Sequence, residues 1–173
     1  IMAGYKIEKY DYRTLNAFRK DFPSSDITDL NGGDSSTQTN SGYSRELALL
    51  SYFGRINYDY KGKYLLEANF RADASSRFAK GYRWGYFPSF SAGWRLSEEG
   101  FMNNTRDWLQ SLKLRASWGL LGNQDAVSDE YYPSLPTLYI GKNYPFGGTV
   151  HQGITVVSHK VPTITWEKST NWG

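Results

Sequence analysis

The sequence contains no cysteine and only two histidines among its 173 residues. It therefore has no disulfide framework, no thiolate zinc site and no thiol nucleophile. Its net charge of +3 is small and its basic residues are interspersed with acidic ones, so nothing indicates nucleic-acid binding. The mean hydropathy is −0.60, and no apolar run approaches the ~18 residues of a membrane helix. Helical membrane spans are thus excluded, whereas membrane strands, which need only ~9–11 residues, are not.

Residue combinations typical of enzymes are also missing. There is no Ser/His/Asp arrangement, no glycine loop suited to phosphate and no carboxylate pair expected in a cleft. His151 and His159 have no acidic cluster beside them, so no metal site is predicted. The sequence predicts neither an enzyme nor a cofactor.

Aromatic residues make up 17% of the chain, and apolar and polar residues alternate between Leu47 and Leu120. Four runs share this alternation, and the turn Lys61–Lys63 separates the first two. The apolar side chains occupy even-numbered positions: Leu50, Tyr52, Ile56, Tyr58, Tyr60, Tyr64, Leu66, Ala68, Phe70, Ala72, Phe90, Ala92, Trp94, Leu96, Leu112, Leu114, Ala116, Trp118 and Leu120. Because alternate residues point to opposite faces of a strand, the pattern predicts a sheet with one apolar and one polar face.

The polar face carries charges at nearly every step. Its candidate functional residues are Arg55, Asp59, Glu67, Asn69, Arg71, Asp73, Arg95 and Arg115. The apolar face is ringed by aromatic residues near strand ends: Tyr58, Tyr60, Tyr64, Tyr86, Trp94 and Trp118. Aromatic girdles around an apolar band, with a polar interior, are typical of outer-membrane barrels. The pattern favours such a barrel over the alternative of a soluble β-sandwich or solenoid.

In a barrel the polar candidates would face the lumen. They would then bind a plug or a substrate, or form a hydrated wall whose charges pair with one another. Arginine at an apolar-face position such as Phe90 is expected to cost ~2–4 kcal/mol near the bilayer midplane. The same change on the polar face, at Ser91 or Asn69, is expected to be mild.

The connections alternate in length. Residues 13–44 and 122–164 form long loops, residues 74–85 form a medium one, and residues 61–63 and 98–110 form short ones, with a helical turn predicted at Thr105–Gln110. Outer-membrane barrels have short periplasmic turns and long outer loops, so the long and medium loops are predicted to lie outside. For residues 13–44 the alternative is a disordered linker. Further strands are predicted over residues 1–10 and from near Thr165.

About six strands are too few to close a membrane barrel, for which about eight are needed. Residues 1–173 are therefore interpreted as an internal segment of a barrel domain.

Arginine and aromatic residues in the outer loops are candidate contacts for a ligand or a lid. They are Arg77, Tyr82, Trp84, Tyr131, Tyr132, Tyr139 and Tyr144. Aromatic faces stack on sugar rings, and arginine supplies directed donors. The alternative for the first three is that they belong to the interfacial girdle.

A series of short motifs follows in order along the chain. They are Ser51–Tyr58, Lys63–Leu66, Arg71–Phe78, Gly85–Ser89, Ala92–Arg95, Glu98–Phe101, Leu112–Gly119, Gly122–Gln124 and Trp166–Lys168. Together they resemble the SusC/RagA family of TonB-linked outer-membrane transporters of the Bacteroidetes. The resemblance is close over residues 47–125 and looser in the final segment.

The resemblance implies an all-β fold, an antiparallel up-and-down meander that forms part of a transmembrane barrel of about 22 strands. It also implies nutrient uptake across the bacterial outer membrane, with a glycan, an oligosaccharide or a peptide as substrate. A SusD-like surface lipoprotein and TonB would be the partners, with outer-membrane lipid around the barrel. The plug and the TonB box are not among these residues. The alternative function is that of a soluble β-rich carbohydrate-binding or adhesion module.

Overall fold

A computed structural model describes residues 1–105, 107–125, 131–158 and 161–173. Its strands are β1 (Met2–Phe18), β2 (Thr39–Tyr60), β3 (Tyr64–Ser75), β4 (Trp84–Arg95), β5 (Lys113–Asn123), β6 (Thr137–Phe146), β7 (Thr149–Ser158) and β8 (Glu167–Trp172). Short 3-10 segments occur at Leu30–Gly32, Ser35–Thr37, Leu96–Glu98 and Gly100–Thr105. Across the described residues, no helix combines the length and the hydropathy needed to span a bilayer.

Six strands form one sheet in the order β1-β2-β3-β4-β5-β8, and β6 pairs only with β7 in a second, two-stranded sheet. The pairs from β2 through β5 to β8 are all antiparallel. The predicted all-β, up-and-down meander is therefore confirmed.

The register keeps even-numbered residues opposite even-numbered residues across the sheet. Tyr52 lies opposite Ala72 and Ala72 opposite Tyr86, while Phe90 lies opposite Trp118 and Trp118 opposite Trp172. A slip of one residue between any two strands would move one strand's apolar side chains to the other face. The alternation within each strand thus becomes two continuous faces.

Aromatic pairs connect neighbouring strands on the even-numbered face. Phe90 stacks on Trp118, with ring centroids 6.0 Å apart, and Tyr64 stacks on Trp94 at 6.2 Å. Large apolar side chains on this face are about half exposed: Tyr52, Ile56, Tyr58, Leu66, Phe70, Tyr86, Phe90 and Leu114. Soluble monomers rarely expose contiguous apolar patches beyond a few hundred Å². This face is therefore suited to an apolar environment.

A tight turn joins β2 to β3. Lys61 and Gly62 both have positive φ, at 53° and 66°, which is the geometry of the two-residue turns that suit the twist of a hairpin. The Asp59 carboxylate accepts a hydrogen bond from the Gly62 amide at 2.7 Å, and the Lys63 amide donates to the Tyr60 carbonyl at 3.0 Å. The predicted 61–63 turn is confirmed.

The first long loop is shorter than predicted, because β1 continues to Phe18 and β2 begins at Thr39. The chain divides into two compact units, residues 1–8 with 48–173 and residues 9–47. In the second unit, Arg19 donates to Gln38 Oε1 at 2.7 Å. The Ser36 amide donates to Asp34 Oδ1 at 2.8 Å and holds the pKa of that carboxyl below its usual range. These hydrogen bonds order the connection between β1 and β2, for which the composition predicted a loop or a disordered linker.

The predicted loop 122–164 was wrong in its central part, which forms the β6–β7 hairpin. In the connection 98–110, helical structure occurs earlier in the chain than predicted, as 3-10 turns at Leu96–Glu98 and Gly100–Thr105. Within the predicted turn Thr105–Gln110, one hydrogen bond of helical spacing is present: the Leu109 amide donates to the Thr105 carbonyl at 2.8 Å. Arg106 lies outside the described residues.

Candidate functional site

The odd-numbered face of the sheet carries a hydrogen-bonded network between β2 and β3. Arg55 Nε donates to Asn69 Oδ1 at 2.6 Å, and Asn69 Nδ2 donates to Glu67 Oε1 at 2.8 Å. Arg55 lies opposite Asn69 in the register, so the strand pairing itself brings the two side chains together. Asn69 therefore links a cation to an anion, and Arg55 Nε is 4.0 Å from Glu67 Oε1.

A second network lies further toward the β3–β4 loop. Arg71 Nε donates to both carboxylate oxygens of Asp73, at 2.7 and 2.8 Å, and Arg71 Nη2 donates to Ser51 Oγ at 3.2 Å. Asp73 and Ser51 are both buried and lie opposite each other in the register. Charged hydrogen bonds of this kind are the stronger class. Five of the eight polar candidates are thus paired in two networks: Arg55 with Asn69 and Glu67, and Arg71 with Asp73.

The other three polar candidates are placed differently. The Asp59 carboxylate is held by the Gly62 amide at the β2–β3 turn. Arg95 and Arg115 lie on β4 and β5, on the same odd-numbered face, with Lys113 directly opposite Arg95. Arg115 and Lys113 line one depression, whereas Arg95 Nη1 lies 3.8 Å from the place a Cβ atom would take on Gly62. Neither arginine is joined to the networks of Arg55 and Arg71 by a hydrogen bond between described residues.

Arg77, a candidate ligand contact, is buried. Its guanidinium group is hydrogen-bonded to the Asp125 carboxylate, and its backbone carbonyl accepts a hydrogen bond from Ser134 Oγ at 3.5 Å. Arg77 therefore ties the β3–β4 loop to the segments that follow β5, which is a structural role at the rim of the sheet.

An aromatic cluster, which the alternating pattern did not predict, lies beside Arg77. Phe78 and Phe87 contact Trp166, with ring centroids 5.6 and 5.4 Å apart, and all three side chains are buried. Phe87 is odd-numbered, so the polar face is apolar at this end. A Cβ atom on Gly122 would lie 2.0 Å from the Phe87 ring. Because Gly122 has no side chain, the Phe87 ring can occupy this space.

The same cluster fixes the start of β8 to the β3–β4 loop. Trp166 Nε1 donates to the Arg83 carbonyl at 2.8 Å, and Thr165 Oγ1 donates to the Tyr82 carbonyl at 2.9 Å. The first of these bonds satisfies the polar atom of a buried tryptophan, as such side chains require. The alternating pattern did not single out Trp166, although this residue joins the rim cluster to β8.

The remaining aromatic candidates do not converge on one site. Trp84 stacks on Tyr52 of the even-numbered face, at 6.1 Å and 15°, so it continues the apolar face, while Tyr82 is exposed in the loop. Tyr139 lies in β6 with Lys142 Nζ 5.5 Å from its ring centre. Tyr144, also in β6, contacts the His151 ring at 5.9 Å.

Tyr131 and Tyr132 precede the hairpin, and the Tyr132 carbonyl closes a turn with the Leu135 amide at 3.1 Å. His151 lies in β7, whereas His159 lies outside the described residues. The described residues contain no group of three or more His, Cys, Asp or Glu side chains arranged to hold a metal ion.

Glu99 organises the opposite end of the sheet, where the 3-10 turns lie. Its carboxylate accepts hydrogen bonds from Tyr64 Oη at 2.8 Å, Trp94 Nε1 at 3.1 Å and Lys63 Nζ at 3.2 Å. These donors, Trp94 first, hold the pKa of the Glu99 carboxyl below its usual range. Sequence reasoning missed Glu99, although it lies in the family-like motif Glu98–Phe101.

Curated relatives identify the family. The sequence is 39% identical over 143 residues to the TonB-dependent receptor SusC of Bacteroides thetaiotaomicron, which covers 80% of this chain. It is 40% identical over 123 residues to the TonB-dependent receptor P26 of Formosa agariphila, which covers 71% of this chain. The chain belongs to the SusC/RagA family of TonB-dependent receptors. No protein-family model matches the sequence.

The fold of this SusC/RagA segment also matches solved structures. Residues covering 98% of the chain superpose on the RagAB peptide importer in its closed-closed state with a TM-score of 0.82 and 24% identity. At that identity the match establishes the fold. The chain spans 14% of the length of SusC, 12% of P26 and 18% of the matching RagAB chain.

Proposed function

We propose that this chain is an internal segment of the C-terminal barrel domain of a TonB-dependent nutrient importer in the bacterial outer membrane. Its even-numbered face would meet lipid, and its odd-numbered face would line the lumen. The observation that carries this proposal is the pair of continuous faces on one sheet, one half-exposed and aromatic, the other polar and internally hydrogen-bonded. An apolar outer band with a polar interior is the architecture of outer-membrane barrels.

The two faces also bear on the alternative of a soluble carbohydrate-binding module. In a soluble sandwich the apolar face would be covered by a second sheet. Within the described residues, no second sheet covers Ile56, Leu66 or Phe90, whose side chains remain about half exposed. The importer accounts for that exposure because lipid takes the place of the second sheet.

The family relationship supports import and leaves the substrate class to be tested. The SusC and P26 relatives are TonB-dependent receptors by name, and RagAB is a peptide importer by title. We infer uptake of an oligosaccharide or a peptide, driven through TonB by a part of the protein beyond these residues. The networks around Arg55 and Arg71 act as a hydrated, self-neutralised wall, and no catalytic step is assigned to them.

Labelling of single cysteines tests the orientation of the barrel, in a full-length receptor from which any cysteine outside these 173 residues has been removed; residues 1–173 contain none. Lys80 and Lys61 are exposed and lie in connections at opposite ends of the sheet. In the full-length receptor, a polymer-linked maleimide too large to cross the outer membrane should label Lys80→Cys on intact cells. It should label Lys61→Cys only after the outer membrane is permeabilised. Labelling of both, of neither, or in the reverse order on intact cells would contradict the proposed topology.

We further propose that the β6–β7 hairpin contacts a SusD-like lipoprotein that covers the outer mouth. Four aliphatic side chains form two directly opposed cross-strand pairs in the hairpin: Leu138 with Val156 and Ile140 with Ile154. All four are exposed, and an isolated two-stranded hairpin is only marginally stable in water. A protein partner on this patch would supply the missing apolar cover.

The double substitution Ile140→Asp with Ile154→Asp should strongly reduce co-purification of the lipoprotein with the full-length receptor. The reason is that two carboxylates in an apolar contact lose their hydration without a partner. Thr155→Asp adds a carboxylate at a neighbouring β7 position and is the matched control, expected to retain the lipoprotein. Equal retention by both variants would refute the proposed contact.

A further inference from the structure

An aromatic row crosses three strands at the turn end of the even-numbered face. Tyr60 of β2 lies opposite Tyr64 of β3, and Tyr64 lies opposite Trp94 of β4. Ring centroids are 6.3 Å apart for Tyr60 and Tyr64, and 6.2 Å apart for Tyr64 and Trp94. All three side chains are exposed, and Lys61 Nζ lies 5.3 Å from the Tyr60 ring centre. Tyrosine, tryptophan and lysine are the side chains that membrane proteins place at the level of the lipid headgroups.

The Glu99 carboxylate lies at the end of this aromatic row. It accepts hydrogen bonds from Tyr64, Trp94 and Lys63, and 15% of its side chain is exposed. Tyr64 and Trp94 belong to the even-numbered face, so the carboxylate lies on that side of the sheet. A charge on a lipid-facing surface is costly within the hydrocarbon, and the cost falls off toward the interface. Glu99 therefore marks the level at which hydrocarbon gives way to headgroups.

The β4–β5 connection that follows Glu99 exposes two large apolar side chains. Phe101 is 67% exposed and Trp108 is 74% exposed, whereas Met102 and Thr105 are partly buried. Thr105 Oγ1 donates to the Met102 carbonyl at 2.7 Å. Because a 3-10 turn repeats every three residues, Met102 and Thr105 share the side that packs on the protein, and Phe101 is directed away from it. The connection thus presents apolar rings to whatever lies beside it.

Both rings are within reach of the headgroup layer. The Cα atom of Phe101 is two residues from that of Glu99 and so lies within about 7 Å of it. The headgroup region on each side of a bilayer is about 5–8 Å thick. Trp108 lies four residues before Leu112, whose carbonyl accepts a hydrogen bond from the Ser97 amide at 3.3 Å. The connection therefore begins and ends close to the level of the aromatic row.

We propose that Glu99 holds the β4–β5 connection against the periplasmic leaflet of the outer membrane, where Phe101 and Trp108 enter the phospholipid headgroup layer. The inference rests on the proposed function, because it requires the even-numbered face to meet lipid and the β2–β3 turn to be periplasmic. Lipid is the occupant because the connection continues the aromatic row, which ends the lipid-facing surface. Phospholipid offers an apolar boundary for the two rings and phosphate oxygens for the exposed Lys61 amine. The connection then acts as an anchor in the plane of the membrane.

Spin labels on single cysteines test this contact in a full-length receptor without other cysteines. The receptor is reconstituted in vesicles of phosphatidylethanolamine and phosphatidylglycerol, with the collision reagents on both sides of the bilayer. Labels at Phe101→Cys and Trp108→Cys should collide severalfold less often with a water-soluble nickel chelate than a label at Asn103→Cys, and should collide readily with oxygen, which concentrates in lipid. Asn103 is the matched control, because it is exposed and points to a different side of the same 3-10 turn, Gly100–Thr105.

Removal of the Glu99 carboxylate tests what holds the connection in place. In Glu99→Ala, the label at residue 101 should meet the nickel chelate about as often as the label at residue 103, because Tyr64, Trp94 and Lys63 lose their shared acceptor. Glu98→Ala removes the neighbouring, exposed carboxylate and should leave the label at residue 101 in lipid. An unchanged depth in Glu99→Ala would overturn the role given to Glu99.

Two results at the labelled positions would overturn the anchor itself. Nickel collisions at residue 101 or 108 as frequent as at residue 103 would make the connection a solvated turn. Few collisions with either reagent would place the rings against protein instead of lipid.

A label at Phe70→Cys reports the importer proposal separately, since Phe70 lies near the middle of β3 on the even-numbered face. It should collide with oxygen and rarely with the nickel chelate. Lipid contact at residue 70 with water or protein at residue 101 would leave the importer in place and remove only the anchor. Water at both positions would contradict the importer as well.

Discussion

Replacing Phe90 with arginine is expected to destabilise the full-length receptor by about 2–4 kcal/mol. Phe90 lies near the middle of β4, is half exposed on the even-numbered face, and stacks on Trp118 at 6.0 Å. In the bilayer its replacement would place a guanidinium group in hydrocarbon, where water cannot solvate the charge. The free energy of unfolding, measured by denaturant titration of the receptor in lipid vesicles, gives the effect directly.

Ser91→Arg is the matched control for Phe90→Arg. Ser91 is the next residue of β4, points to the opposite face and lies opposite Ser117, with its side chain exposed. Arginine there should change the unfolding free energy little, since the charge would face water and polar neighbours. Equal losses at the two adjacent positions would refute the assignment of the even-numbered face to lipid.

Replacing Phe78 with alanine should cost about 3–5 kcal/mol, in the range for removal of a buried phenylalanine. Phe78 is 1% exposed and lies against Trp166 in the rim cluster. The loss should be concentrated at the rim, where the Ser75 amide donates to the Arg83 carbonyl at 3.1 Å. Amide hydrogen exchange of Ser75 in the full-length receptor measures the free energy of local opening.

Tyr82→Ala provides the control for Phe78→Ala, because Tyr82 is in the same loop but is 41% exposed. It removes an aromatic ring without creating an interior cavity and should leave exchange at Ser75 nearly unchanged. If Tyr82→Ala accelerated exchange as much as Phe78→Ala, the packing of Phe78 against Trp166 would not be what holds the rim.

The two-faced sheet was predictable because one rule covers all of it. From β2 to β5 the side-chain period is two, and every register joins even-numbered to even-numbered residues. The start of β2 was missed because residues 39–44 contain a single apolar side chain, Tyr43, and so give no apolar alternation. The hairpin was missed because Pro133, Pro136 and Pro145 suggest a loop and a register shift between Ile140 and Lys142 breaks the period.

Side-chain networks were less predictable than strands. Sequence alone suggested that arginine at Asn69 would be as mild as at Ser91, but Asn69 joins Arg55 to Glu67 through two hydrogen bonds. Removing it would leave charged groups without their partners, which is costly where they are partly buried. The contact of Phe87 with Trp166 joins residues far apart in the chain, and local periodicity carries no information about such pairs.

Both ends of the segment that connects β5 to β8 are bound to the β3–β4 loop. Asp125, just after β5, binds Arg77, and Trp166, just before β8, binds the Arg83 carbonyl. The β5–β8 register then begins immediately, with Asn123 opposite Glu167. Lengthening a loop adds little to the conformational entropy lost on closing it, so the residues between Asp125 and Trp166 are only weakly constrained in length by the sheet. Changes of sequence or length in this segment are therefore expected to leave the alignment of β5 with β8 unchanged.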